Sequence, residues 1–442
     1  MKRKSSAFSA FTTLSNIFIA LMLTVFLFWF DSTGYGSITE AKLPVFRTLC
    51  GGYVILSVIL IPSCLVTGLM KTKDLKRYIK ESTWSQRMVL VFMLLTVLSS
   101  LLSPYRSETW RGVSRYEGTI TICIYCLCFV FLSSFGKAQK WMAYLLGASL
   151  TVFSVICIVQ LYGGNPLGLF PEGLNYFGAG VDYTGAYIGT IGNTDLAAAF
   201  LCVAITILWV AAVRMNGKLR MVLIVPIALA LFVLAKMSVM AGILGVFGGA
   251  VLSLPVVLPV SDKIKKLIAI VIALTIIIGI AFLFVVDIDI GMLHEAHELL
   301  HGRVDETFGS GRIHIWKSVL ERIPDNLLFG TGPDTMNYAG IEAFSRYDEI
   351  KNVEIVAEID TAHNEYLNVL YHQGIFALLA YLAALIFAAK AWISRGGRKA
   401  ESAALGAAVL CYCIQAFFGI SMFITAPFFW ISFGLLDNSC RE

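Results

Sequence analysis

Residues 287–374 read DIDIGMLHEA HELLHGRVDE TFGSGRIHIW KSVLERIPDN LLFGTGPDTM NYAGIEAFSR YDEIKNVEIV AEIDTAHNEY LNVLYHQG, and they form the only long polar segment of the chain. All six histidines fall inside it. Between Asp287 and Asp360 it holds 15 of the 29 acidic residues, against six Lys and Arg. A polar stretch of this length between apolar runs is a place to look for chemistry, because loops held by a rigid scaffold carry function disproportionately.

What surrounds it decides the fold class. With 58% hydrophobic and 14% charged residues and a mean hydropathy of +0.78, the chain is far from the ~25% charged fraction of ordinary soluble domains. It reads as an all-α polytopic membrane protein. The formal charge of +5 gives no reason to expect a nucleic-acid partner. Most cysteines (Cys64, Cys123, Cys126, Cys128, Cys157, Cys202, Cys411, Cys413) lie in apolar runs, where they act as small packing residues rather than as disulfide or metal pairs.

Spans of membrane length are expected at about 16–30, 50–70, 88–103, 119–136, 141–162, 195–213, 221–235, 241–260, 267–286, 374–393, 402–424 and 426–437, twelve in all. The first follows Lys2, Arg3 and Lys4 and is read as a retained helix rather than a cleaved signal. Three regions result: helices 1–9 over residues 1–286, the large loop over 287–373 with short amphipathic helices, and helices 10–12 over 374–442. With the N-terminus inside, the inner connections collect Lys71 to Arg87, Lys137 and Lys140, Arg214 to Arg220, Lys263 to Lys266 and Arg395 to Lys399. In total, 22 of the 34 basic residues fall inside. The positive-inside rule then places both termini in the cytoplasm and the large loop outside.

Four shorter outer segments accompany that loop. Residues 31–47 carry no readable pattern. Residues 104–118 hold Arg106, Arg111 and Arg115 on the side where basic residues are disfavoured; an anionic ligand or anchoring to lipid phosphates would explain them. The third, 163–194, is rich in glycine and aromatics (Phe170, Tyr176, Phe177, Tyr183, Tyr187) and ends in Gly192-Asn193-Thr194-Asp195. The fourth is the tight link at Lys236, which could snorkel or bind an anion.

Within the large loop, His297-Glu298-Leu299-Leu300-His301 fits the zinc-protease pattern H-E-x-x-H, with His294 nearby, but a solvated juxtamembrane helix accounts for it better. A second feature is Gly309-Ser310-Gly311 followed by an amphipathic helix from Arg312 to Ile323, with Ile313, Trp316, Val319, Leu320 and Ile323 near one face. Arg312, in its first turn, could clamp a phosphate or pair with Asp305 or Glu306. The turn Leu327 to Pro333 is marked by Gly330 and Gly332. At Asp360-Thr361-Ala362-His363-Asn364-Glu365, Asp360 or Thr361 can cap a new helix and leave His363 in its first turn, neutral and able to accept a proton. Glu365 is a second candidate base or an orienting group, and His372 reads as structural.

The run His363 to Asn368 followed by Gly374-Ile375, the Arg312 to Trp316 segment, the Phe329-Gly330-Thr331-Gly332 turn, the Trp110 to Gly118 run and Gly192-Asn193 together resemble the O-antigen ligase and polymerase superfamily. The likeness runs from about residue 100 onward. It implies inverting glycosyl transfer at the outer face of the cytoplasmic membrane, from an undecaprenyl-diphosphate-linked glycan donor to an acceptor hydroxyl on a glycan, lipid or cell-wall molecule, with no metal and no cofactor. A polymerase extending the same lipid-linked polysaccharide is the alternative within the family. A lipid or polysaccharide flippase is the alternative from another class, disfavoured because the spans are almost free of charge.

By position, the resemblance makes His363 the essential histidine. Arg312, Arg115 and, more weakly, Lys236 hold the diphosphate. Asn364, Glu365, Trp316 and Gly332 support the site or touch substrate. Where many members carry a Ser-Arg pair, this chain reads Ser238-Val239, with Lys236 one turn earlier as the substitute charge.

Overall fold

The computed structural model describes residues 6–170, 188–288, 291–306, 308–338, 340–341, 344–348, 353–357 and 359–441. The basic cluster Lys2, Arg3 and Lys4 and the aromatics Tyr176, Phe177, Tyr183 and Tyr187 lie outside these residues.

Among the described residues, nine helices are long and apolar enough to cross a membrane. They are α1 (Ala7–Phe26), α2 (Ile38–Val66), α3 (Trp84–Leu102), α5 (Lys140–Leu161), α6 (Thr194–Arg214), α7 (Lys218–Met237), α8 (Met240–Val257), α9 (Asp262–Val285) and α12, a span running from Glu365 to Arg398. Three more helices occupy positions where spans were expected but are shorter: α4 (Thr119–Phe135), α13 (Ala400–Gln415) and α14 (Ala426–Ser439). At 1.5 Å per residue their 14 to 17 residues reach about 21 to 26 Å, less than the ~30 Å hydrocarbon core.

One boundary moves substantially. Residues 38–47, expected in a loop, begin α2. Charged Glu40 and Lys42 hide the helix from a hydropathy reading, but Lys42 is fully buried and its Nζ donates to the carbonyls of Phe26 and Leu27 at 2.9 and 3.1 Å. It thereby satisfies carbonyls that the end of α1 leaves free.

The bundle is organised around α6, of which 78% of the most apolar window is buried. Its run of alanines (Ala197, Ala198, Ala199, Ala204, Ala211) lets α5, α7, α8 and α13 approach closely. Helices α3 and α12 pack as a second pair, and α4 packs on α14. By contrast α9, the most apolar of these nine helices, has no buried residue, as expected of a helix largely bathed in lipid.

The large loop contains α10 (Gly291–Leu300), α11 (Phe308–Arg322) and one antiparallel ribbon, β1 (Phe344–Asp348) with β2 (Val353–Ala357), in the register Phe344 opposite Ala357 and Asp348 opposite Val353. Apart from that ribbon, regular structure among the described residues is helical. The amphipathic stripe of α11 differs from the expected one: Ile315, Val319 and Ile323 are buried against Met336, Ile359, Ala362 and Tyr371, while Leu320 is 54% exposed.

A glycine-built joint fixes this loop to the bundle. Helix α12 kinks at Gly374 (φ +82°), which falls at the boundary expected between loop and span. There Ile375 N–H donates to Leu327 O at 2.8 Å, Thr331 N–H to Tyr371 O at 3.1 Å and Gly332 N–H to His372 O at 2.8 Å. A Cβ at Gly374 would lie 2.3 Å from the Leu328 carbonyl oxygen, and one at Gly330 2.3 Å from the His372 carbonyl, so both backbones need the missing side chain. Ser99 and Ser103 of the α3 end add bonds to His372 O and Thr331 O at 2.8 and 2.6 Å.

Candidate functional site

His363 immediately precedes α12 rather than lying inside its first turn. The cap is Asn364, whose side chain accepts from Leu367 N–H at 3.0 Å, and the helix begins at Glu365. Asp360 is free of capping duty because it is bound elsewhere. His363 itself holds a left-handed backbone, φ +48°, which costs a non-glycine residue energy and persists only where neighbours impose it. Two bonds on Ala362 do so: its N–H donates to Asn368 Oδ1 and its carbonyl accepts from Trp316 Nε1, both at 2.8 Å. Asn368 completes the clasp through Thr361 Oγ1 at 2.7 Å. Trp316 is therefore a support of the histidine's backbone, packed against Phe417 and Phe418.

The neutrality expected for His363 has a different origin from the helix end. Burial pushes its pKa down to about 4; the carboxylates of Asp195 and Asp360 work against this, and the guanidiniums of Arg115 and Arg312 work with it. The same balance places both arginines within electrostatic reach of the imidazole. Its Nδ1 is buried without a hydrogen-bond partner, 3.8 Å from Asp195 Oδ2.

Arg115 comes from the short loop before α4. It makes a two-pronged pair with Asp360, Nε to Oδ2 and Nη2 to Oδ1, both 2.8 Å. A guanidinium has five N–H donors, so three remain. The loop carrying Arg115 is shaped by Asp334, which accepts from the N–H groups of Ser114 and Arg115 at 3.2 and 3.0 Å and from Ser114 Oγ at 3.1 Å. Gly112 (φ +85°) passes so close to this carboxylate that a Cβ would lie 2.4 Å from its oxygen. Burial raises the Asp334 pKa, and these donors restrain the rise.

Arg312 is the fifth residue of α11, just after a first turn in which Gly309 and Gly311 take left-handed backbone (φ +61° and +83°). Its Nη1 donates to Gly309 O at 2.8 Å and its Nε is buried without a partner. Glu306, a suggested surface partner, is instead engaged by Lys317 at 2.7 Å and His314 at 3.1 Å. Glu365 is buried with both oxygens occupied, by Tyr381 at 2.6 Å and Tyr412 at 2.9 Å, so it fastens α12 to α13. Gly332 (φ +100°) is buried in the joint described above, where a Cβ would meet Thr109 at 2.4 Å.

Lys236 is exposed at the end of α7, its ammonium 5.9 Å from the ring centre of Phe232, and it lines neither cavity that Arg115 lines. The other two arginines of the 104–118 segment, Arg106 and Arg111, are exposed. The H-E-x-x-H pair turns its Nδ1 atoms to backbone, His297 to Leu283 O at 2.7 Å and His301 to His297 O at 2.9 Å. The ligand-type atoms that gather there belong instead to Asp287, His294 and Glu298, and Glu298 is held by Arg303 at 2.6 and 2.7 Å.

Two cavities meet at the Arg115–Asp360 pair. One, about 280 Å³, is lined by Tyr35, Ser37, Glu40, Ser114 and Asn193; the other, about 80 Å³, by Glu117, Asp334, Asn368, His372 and Gln373. Asp195, Asp334 and Asp360 are the site carboxylates whose roles a reading of the sequence does not reveal. The one available signal was position: Asp195 sits at the very start of an otherwise uncharged apolar span.

Fold and site together define a multi-pass helical membrane protein with guanidiniums and a neutral imidazole gathered beside its helix ends. Residues 186–382 match the family model described as O-Antigen ligase, a similarity that supports the O-antigen ligase superfamily. Members of that family are membrane glycosyltransferase-like enzymes, ligases and polymerases. The match includes Asp195, Lys236, Arg312, Trp316, Gly332, Asp360, His363, Asn364 and Glu365, and leaves Arg115 outside. No curated protein matches the chain.

Proposed function

We propose that the protein transfers a glycan from undecaprenyl diphosphate to an acceptor hydroxyl, with inversion, at the outer face of the cytoplasmic membrane. The observation that carries this reading is the half-buried imidazole of His363, held uncharged beside Arg115 and Arg312. Inverting transfer needs both parts at once. The acceptor oxygen attacks the anomeric carbon and gives its proton to His363 Nε2. The bond from that carbon to the diphosphate oxygen breaks, its electron pair leaves with the lipid diphosphate, and the guanidiniums stabilise the added negative charge. Arg312 brings an unpartnered buried Nε to this task, and Arg115 the donors that Asp360 leaves. Trp316 and Asn364 hold the histidine, Gly332 and Glu365 hold the frame, and no metal or cofactor enters the reading. Ligase and polymerase share this step and differ in the acceptor.

The outward placement of the loop, with both termini inside, requires an odd number of crossings before it and an odd number after it. The reading therefore has α4 cross as well, which brings the spans before the loop to nine, and α13 and α14 cross as a pair after α12, their shortness accommodated by burial among the longer helices.

The test is transfer by purified full-length protein reconstituted with a lipid-diphosphate-linked glycan and an acceptor. His363→Ala is expected to lower the rate at least about 100-fold, the lower bound for loss of a general base, with an unchanged melting temperature. Arg312→Lys is expected to lose most activity because an ammonium lacks the planar fork. Wild-type rates in either variant would contradict the assigned roles.

A further inference from the structure

We propose that Asp195 is the positioning residue of His363: its carboxylate takes the Nδ1–H of the imidazole, fixing the tautomer in which Nε2 is bare and can accept the acceptor's proton. This inference rests on the reading of His363 as general base. The two residues are 168 positions apart in sequence, and nothing in the His363 segment points to Asp195.

Three observations meet here. His363 Nδ1 is buried and makes no hydrogen bond, an arrangement that is costly if left unanswered in the working enzyme. Asp195 Oδ2 stands 3.8 Å from that atom, so a shift of about 1 Å would bring it to hydrogen-bond length, the kind of tightening that catalytic contacts undergo when substrate binds. Asp360, the second carboxylate acting on the imidazole among the described residues, has both oxygens committed to Arg115. Asp195 accepts no hydrogen bond from any described side chain.

Its mounting suits the role. Asp195 occupies the first turn of α6, a helix whose most apolar window is 78% buried, two positions past the cap Asn193, whose side chain accepts from Leu196 N–H at 3.1 Å. The free N–H groups of that helix end favour a negative charge at this point. The imidazole is approached by Asp195 from α6, by Arg115 from the short loop, by Arg312 from α11 and by Asp360 from its own loop. Among these, Asp195 is the largest charge effect and the one that raises the imidazole's affinity for a proton most. An aspartate that receives Nδ1–H also stabilises the imidazolium formed when Nε2 takes the acceptor proton, and that proton afterwards passes to the released diphosphate or to water.

The experiment compares Asp195→Asn, Asp195→Ala and Asp195→Glu in the reconstituted full-length protein. The first two are expected to lower kcat about 100-fold or more, with KM for the lipid-linked donor within about twofold. The acid limb of the pH–rate profile should move to lower pH in the same two variants, because the charge that raises the histidine pKa is gone. Asp195→Glu should recover part of the rate. A second readout needs no substrate: nitrogen NMR of histidine-labelled protein should find His363 protonated at Nδ1 in wild type and without that preference in Asp195→Ala, with His363→Ala used to assign the signal. Wild-type kcat in Asp195→Asn, an unmoved acid limb, or a wild-type His363 protonated at Nε2 would each overturn the proposal. If wild type transfers and His363→Ala does not, normal Asp195 variants sink the pairing alone. If wild type does not transfer at all, the functional reading fails and the NMR result still decides the tautomer.

Discussion

His363 combines a left-handed backbone, a buried unpartnered Nδ1 and a proton affinity lowered chiefly by burial. Those three facts set its pH behaviour. An imidazole whose pKa falls from the usual 6.5 to about 4 is neutral throughout the physiological range and is lost as a base only as pH falls through about 4. The acid limb of kcat/KM for wild type is therefore expected near pH 4 to 5, measurable in the reconstituted assay; a limb at 6.5 would mean that the histidine is solvated. At this scale the sequence was informative about residue type and silent about partners. His363, Arg312 and Arg115 stood out because a charge or a histidine beside apolar spans needs a reason. Asp195, Asp334 and Asp360 did not, since each acts on a residue far away in the chain: Asp360 on Arg115 across 245 positions, Asp334 on the same loop across 219. Local logic offered Asp360 or Thr361 as a helix cap, whereas Asn364 is the cap and the Arg115 guanidinium has the stronger claim on Asp360.

Among the elements, the decisive one is the joint between the Gly330–Gly332 turn and the kink in α12. It sets where His363 and the Arg312 helix stand relative to the bundle, and its glycines were visible in the sequence as a turn although their docking partner was not. Gly374→Ala puts a Cβ 2.3 Å from a carbonyl oxygen and forces a left-handed alanine, so it is expected to destabilise the protein by about 2 kcal/mol or more, read as a lowered melting temperature with reduced transfer. Trp316→Phe keeps the ring packing and removes only the 2.8 Å bond to Ala362 O. It should cost about 1 kcal/mol of stability while lowering kcat more than that loss implies, because the backbone of the base is released. The apolar stripe of α11 was nearly legible; Leu320 was misplaced because periodicity alone does not say which edge of a stripe meets the core. The ribbon of β1 and β2 went unread since two short runs inside a charged loop give weak strand signals, though Val353, Ile355 and Val356 are strand-forming types.

For the molecule as a whole, hydropathy located the helices well and their lengths less well. Charged groups satisfied inside the fold, such as Lys42 donating to the carbonyls at the end of α1, blur a boundary that a sequence average draws too late. The topology rests on charge asymmetry and parity: cysteine substitutions at Lys137 and Gly217 should label from the cytoplasmic side and one at Arg303 from the opposite side.

The central claim is that an outward-facing base and its guanidiniums act together on a sugar–diphosphate bond. It is tested most directly by giving the purified, reconstituted protein a lipid-diphosphate-linked glycan with and without an acceptor and measuring free lipid diphosphate. The account predicts release only when acceptor is present, matched one for one by glycosylated acceptor of inverted configuration. Release without acceptor at the same rate, or transport of the intact donor with no bond broken, would contradict it.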